Sequence, residues 1–199
     1  LTKTIIYDQR HSVLAARARA DFYAAELGGE KIIVHSYGKL SGDASEMNER
    51  AIYAGRGRQH LDFFYHIDHV GKKTKAEIDL KGALADESKK IFRGTLDFKR
   101  GCAGSVGDEG DFAIQLDPKT KNISLPLLLC TEDDVQGNHA SSAGQLDQNT
   151  IYFLMSRGFT LEEARRIVVE ALIRPIIDGM DEALREEVLN AVRMKLDRE

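Results

Sequence analysis

The chain has 199 residues, a net charge of −4, 42% hydrophobic and 30% charged content. That length supports one sizeable core, the balance is that of a soluble globular protein, and the charge argues against a general nucleic-acid surface. No apolar run approaches the ~20 residues that span a bilayer, and the N-terminus lacks the apolar core of a signal peptide.

Two cysteines without CxxC spacing, Cys102 and Cys130, exclude a zinc or redox motif of that kind. Free thiols without an export signal fit a reducing cytoplasm. The chain does not begin with Met, so a processed product or a fragment is expected.

In chain order, Val13 to Leu27 comes first and is ambiguous. Its alanines favour helix. Yet Arg17, Arg19 and Asp21 alternate with Ala16, Ala18, Ala20 and Phe22, which favours strand. Lys31 to Tyr37 reads as a strand. From residue 59 to 130 the period is two throughout. Leu61, Phe63, Tyr65 and Ile67 share one parity. Ile78, Leu80 and Leu84 follow, then Phe92, Leu96 and Phe98, then Phe112, Ile114 and Leu116, and finally Ile123, Leu125, Leu127 and Leu129. Each run is expected to bury one face and wet the other. Glycines 71, 101, 104, 107 and 110 and Asp117-Pro118 mark breaks suited to turns. Serial short strands of this kind imply a sandwich, a barrel or a β-solenoid. A shift of 14 overlays Ile78 on Phe92, a self-similarity too weak to prove a repeat.

After residue 146 the period changes to three or four. A helix is predicted from Asp147 to Arg157, capped by Asp147, stopped by Gly158 and burying Ile151, Leu154 and Met155. Thr160 to Glu163 is a capping box that opens a second helix, striped by Ile167, Val168, Ala171 and Leu172 and kinked or ended at Pro175. A third runs from Asp181 to Leu196 with Leu184, Val188, Leu189 and Val192 apolar. Three narrow stripes cannot make a core alone, so the helices should pack on the sheet or on a partner.

Two constellations carry possible chemistry. His60, Asp62, His66 and Asp68 share one parity, and residues two apart on a strand lie roughly 6.6 Å apart, close enough to chelate a metal. The same four also make an ordinary solvated strand face, the preferred reading. The other is His139, in the seam Thr131 to Asp147 between the two periods, flanked by Gly137, Ala140, Ser141 and Ser142. Small neighbours admit another chain or a cofactor, and a neutral imidazole ligates iron or zinc. A capped loop histidine is the plainer alternative. Glu132, Asp133 and Asp134 read as a solvated turn. Cys130 is expected to be buried and inert at the end of an apolar strand, and Cys102 exposed beside glycines. Walker A, GxGxxG, GxSxG and HExxH signatures are absent from the sequence, so a binding or scaffold protein is read before an enzyme.

Several ordered segments resemble one family. Gly57-Arg-Gln-His-Leu-Asp62 with Asp68-His69, Phe92-Arg-Gly-Thr-Leu96, the seam Glu132 to Asp147, and Ile151-Tyr-Phe-Leu-Met-Ser-Arg-Gly158 are similar to the corresponding stretches of the SufB/SufD iron–sulfur assembly scaffolds. The matches run from about Gly57 to Gly158. The resemblance implies a mainly β protein, a right-handed parallel β-helix over residues 1–146 followed by a small α-helical domain over 147–199. On that reading Val13 to Leu27 is strand, and an N-terminal region is missing.

The resemblance further implies a non-enzymatic subunit of a cytoplasmic complex. Its partners would be a SufC-like ABC ATPase, docked near the helical domain, and a SufB-like subunit or a second copy, paired through end strands. Neither nucleic acid nor membrane is expected. The family's SufD-like seam histidine falls on His139, which makes it a possible ligand of iron or of a transient iron–sulfur cluster at the subunit interface. SufB-like chains carry a cysteine near the position of Gly110 and a glutamate at that of Ala140, and both are absent here. The chain is therefore read as SufD-like. The runner-up is a β-solenoid carbohydrate-active enzyme using the His60, Asp62, His66 and Asp68 face.

Overall fold

The computed structural model describes residues 4–197. Ten strands precede three helices. They are β1 (Ile5–Leu14), β2 (Arg19–Glu26), β3 (Lys31–Leu40), β4 (Glu46–Gly55), β5 (His60–His69), β6 (Lys75–Leu84), β7 (Lys89–Phe98), β8 (Ser105–Gln115), β9 (Lys121–Cys130) and β10 (Val135–Gln145), then α1 (Gln148–Ser156), α2 (Leu161–Gly179) and α3 (Glu182–Leu196). Successive strands alternate between two sheets, ordered β1-β3-β5-β7-β9 and β10-β8-β6-β4-β2. Every pairing is parallel. The chain is thus a parallel β-helix of five coils, and Val13 to Leu27 is strand, turn and strand.

Register stacks like on like. Val34 pairs with Phe63 and Phe63 with Phe92, so the central coils are 29 residues, while β6 to β8 spans 31 and β7 to β9 spans 32. The 14-residue echo in the sequence is half a coil, one strand in each sheet. Ile32, Val34, Leu61, Phe63, Ile67 and Phe92 from one sheet meet Met47, Ile78 and Leu80 from the other, all buried. Each coil buries its inner face only against its neighbours, as in other solenoids.

The corners repeat as well. Arg17, Ala44, Lys73 and Gly104 occupy equivalent turns with φ of 61°, 55°, 54° and 76°. Each amide there donates to the next coil: Arg17 to Asp43 O, Ala44 to Lys72 O, Lys73 to Ala103 O and Gly104 to Asp134 O. A left-handed conformation costs a residue with a Cβ about 1–2 kcal/mol, and glycine's unfolded-state entropy returns part of that. Ala44→Gly should therefore stabilise the chain by about 0.5–1 kcal/mol in denaturant unfolding. A destabilised variant would show that Ala44's methyl contributes packing at the corner.

Two runs expected to face the core point outward. In β8 the inner positions are Glu109, Asp111 and Ala113, while Phe112 is half-buried outside, with Lys81 Nζ 5.6 Å from its ring. In β9 the inner positions are Asn122, Ser124, Pro126 and Leu128, and Ile123, Leu125, Leu127 and Leu129 are 39–53% exposed. The cysteines are also reversed from expectation. Cys102 is tucked into the core at a corner, and Cys130 is exposed because β9 closes the last coil.

The helices cover the outside of the even-numbered sheet. Ile52 on the outer face of β4 is fully buried beneath Ile173, Ile176, Ile177, Met180, Leu189 and Val192. Asp147 caps α1, whose Arg157 stop precedes Gly158 at φ 97°, and Thr160 with Glu163 closes the capping box of α2. Helix α2 continues through Pro175, and its buried face is Ala164, Val169, Ile173, Ile176 and Ile177. The predicted stripe of Ile167, Val168, Ala171 and Leu172 is rotated off the contact. Met155 and Leu184 are exposed rather than buried.

Candidate functional site at the open end of the coil

The last coil leaves its lumen uncovered. Strand β9 bonds only to β7 and β10 only to β8, so each presents a free edge among the described residues. His139 lies on β10 and is exposed. Its imidazole makes no hydrogen bond among the described residues.

Alternation places this side chain on the lumen side. A Cβ at Gly137 would meet Phe98 and Leu128 side chains of the core, so Gly137 points inward, and His139 two residues on does the same. Register then builds an inward ladder of Phe22, Glu49, Ile78, Glu109 and His139. Adjacent strands lie ~4.8 Å apart, so Glu109 is the side chain immediately beneath His139.

Glu109 is 3% exposed, and neither of its carboxyl oxygens has a hydrogen-bond partner. Burial, and then the charge of Asp111, push its pKa up to about 8. Asp111 is paired with the fully buried Lys90, whose Nζ also donates to Tyr53 Oη at 3.1 Å and lies 4.7 Å from the Tyr53 ring centroid. Burial lowers the Lys90 pKa against the pull of Asp111. Asn122 Oδ1 and Ser124 Oγ on the facing wall are likewise buried without partners. The upper lumen is therefore lined with acceptor oxygens, below an imidazole at its mouth.

The other candidate group divides. Asp62 receives a hydrogen bond from Arg93. His60 stands in a cationic row with Lys31 and Lys89. His66 Nε2 lies 2.9 Å from Asp68 Oδ1, and Asp97 completes a group whose ligand atoms lie within 4.8 Å of one another. Lys99 pairs with Asp97 and reaches Asp68 at 3.5 Å, and the Tyr37 hydroxyl donates to Asp68. This outer-face cluster is internally satisfied, but Asp68 and Asp97 are buried rather than solvated. Sequence reasoning missed Asp97, Tyr37 and Glu109. The coil period would have found the first two: Asp97 is 29 residues after Asp68, and Tyr37 is 29 before His66.

The motif residues around these sites are structural. Gln59 Oε1 accepts from Arg56 N, and its Nε2 donates to Gly28 O at 2.9 Å, stitching one turn to the next. His69 is fully buried and stacks on Phe98.

These observations define a class: a parallel β-solenoid with a small helical cap and an imidazole at its open end. The chain belongs to the SufB/SufD family, matching "SUF system FeS cluster assembly, SufBD core domain" over residues 2–172. It is 30% identical to the iron–sulfur cluster assembly protein SufD of Bacillus subtilis, over 79% of this chain and 36% of that one. It is 21% identical to SufB of the same organism, over 94% and 40%, and 20% identical to SufD of Escherichia coli, over 92% and 44%. The chain thus spans less than half the length of these relatives. No described helix is long and apolar enough to cross a membrane.

Proposed function

We propose that this chain is a non-enzymatic, SufD-like scaffold subunit of a cytoplasmic iron–sulfur assembly complex. Residues 1–146 form its coil domain and 147–199 its helical domain. His139 ligates iron or a transient cluster, as cargo, where two subunits meet. The observation that carries the reading is the position of His139: exposed, on the lumen side, in the last strand of an uncapped coil.

Two surfaces support the partners. Free edges on β9 and β10 can extend into another subunit's sheets, and the adjoining Ile123, Leu125, Leu127 and Leu129 face is apolar and uncovered. A SufB-like chain or a second copy would pair there. On the helical side, Tyr152, Phe153, Met155 and Phe159 are 42–76% exposed, a patch suited to the SufC-like ABC ATPase. Closure of that ATPase on ATP would favour one geometry of the paired ends over another.

His139→Ala should abolish cluster assembly in vivo while leaving folding, subunit pairing and ATPase co-purification intact. Normal assembly in that strain would remove the role.

A further inference from the structure

The ladder that carries His139 holds two buried glutamates in different circumstances. Glu49, two coils down, receives Arg10 at 2.9 Å and the Ser36 hydroxyl. Glu109 receives nothing. The facing wall accounts for the difference. Its corresponding row runs Arg10, Ser36, Tyr65, Gly94 and Pro126. The lower coils place a guanidinium, a hydroxyl and a phenol there. The row reaches Glu109's level as glycine, and a Cβ on Gly94 would come within 1.9 Å of Glu109 Oε1. The carboxylate reaches across the lumen to a wall stripped of donors. Buried polar groups are nearly always satisfied, and here both oxygens of one carboxyl group are open.

We propose that Glu109 is a second protein ligand of the site, so that a divalent first-row transition-metal ion is held between its carboxylate and the His139 imidazole. The inference rests on the reading of His139 as a ligand and adds a donor beneath it. Imidazole with carboxylate suits iron, zinc or cobalt. Register makes the two side chains neighbours on one face. Asp111 is committed to Lys90 and stays outside the ligand set.

The test is titration of the purified full-length protein with Co2+, read by visible d–d absorption and calorimetry. Wild type should bind one ion per chain. Glu109→Gln, isosteric and neutral, and His139→Ala should each weaken binding at least tenfold with unchanged circular dichroism. Gly94→Ala should weaken it too, by displacing the carboxylate while leaving every charge in place. Asp133→Asn, on the solvated turn, should bind as wild type. Wild-type affinity in Glu109→Gln, or no binding by wild type, would overturn the proposal. Binding that needs both residues, combined with normal assembly in the His139→Ala strain, would retain the metal site and sink the scaffold role.

Discussion

Lys90→Met should lower the unfolding free energy by about 3–5 kcal/mol, the cost of leaving a buried charge uncompensated. Lys90 is fully buried, and its ammonium has two protein partners, Asp111 and the Tyr53 hydroxyl. Removing it strands Asp111, itself 1% exposed, beside the unpartnered Glu109. Asp111→Leu should cost a similar amount by stranding the ammonium. The double variant should recover most of the loss, because two apolar side chains can replace a desolvated pair at little net cost. Denaturant unfolding of the four proteins as a double-mutant cycle measures the coupling. Strictly additive losses would mean that the two charges do not depend on each other in the folded state.

The same pair shows why the sequence was legible in some coils and not in others. Alternation reports which parity is apolar, and in β5 the inner residues Leu61, Phe63, Tyr65 and Ile67 are apolar and buried. In the last two coils the lumen turns polar, with Lys90, Glu109, Asp111, Asn122 and Ser124 facing in. In β8 and β9 the larger apolar residues lie on the outer parity, so Phe112 and the alternating leucines of β9 face away from the core. A period-two signal carries no absolute phase. The phase comes from stacking on the previous coil, and that requires the coil register, which lengthens from 29 residues in the central coils to 31 at β8 and 32 at β9. Repeated half-coil shifts of 14 fall one residue short of a full coil, which reverses parity. The site suffered for the same reason. His139 was visible as an unusual residue in an unusual segment, and the family resemblance raised its standing. Glu109 was invisible, since nothing local distinguishes it from the neighbouring Asp108 and Asp111. The helical caps were legible because Asp147, Thr160 and Glu163 act within four residues. The buried face of α2 was not, because contact with Ile52 of β4 sets it.

Acid should destabilise the protein in a defined window through His69. Its ring stacks 4.3 Å from that of Phe98, its Nδ1 lies 2.7 Å from Thr74 Oγ1, and its Nε2 is buried without a partner. Burial pulls its pKa down from 6.5 to about 4, outweighing the opposite effect of Asp68 and Asp97. Above about pH 6.5 both folded and unfolded chains hold this imidazole neutral, and its contribution is constant. Between about pH 6.5 and 4 the unfolded chain takes up a proton that the folded chain refuses. Stability then falls by about 1.4 kcal/mol per pH unit, or about 3 kcal/mol across the window. Below pH 4 both states are protonated and the loss levels off. His69→Phe keeps an aromatic ring on Phe98 and leaves Thr74 its bond to Ser105 Oγ at 2.8 Å. The difference between wild-type and variant unfolding free energies, measured from pH 7.5 to 4, isolates this one group from the carboxylates that also titrate. A difference that stays flat through the window would mean that the folded core accepts the proton, and that the stacked interior at this coil is wetter than its packing implies. A difference that grows as predicted ties the Asp68-His69 dipeptide to two separate tasks: an outward carboxylate bound by Tyr37, His66 and Lys99, and an inward imidazole that holds the rung only while uncharged.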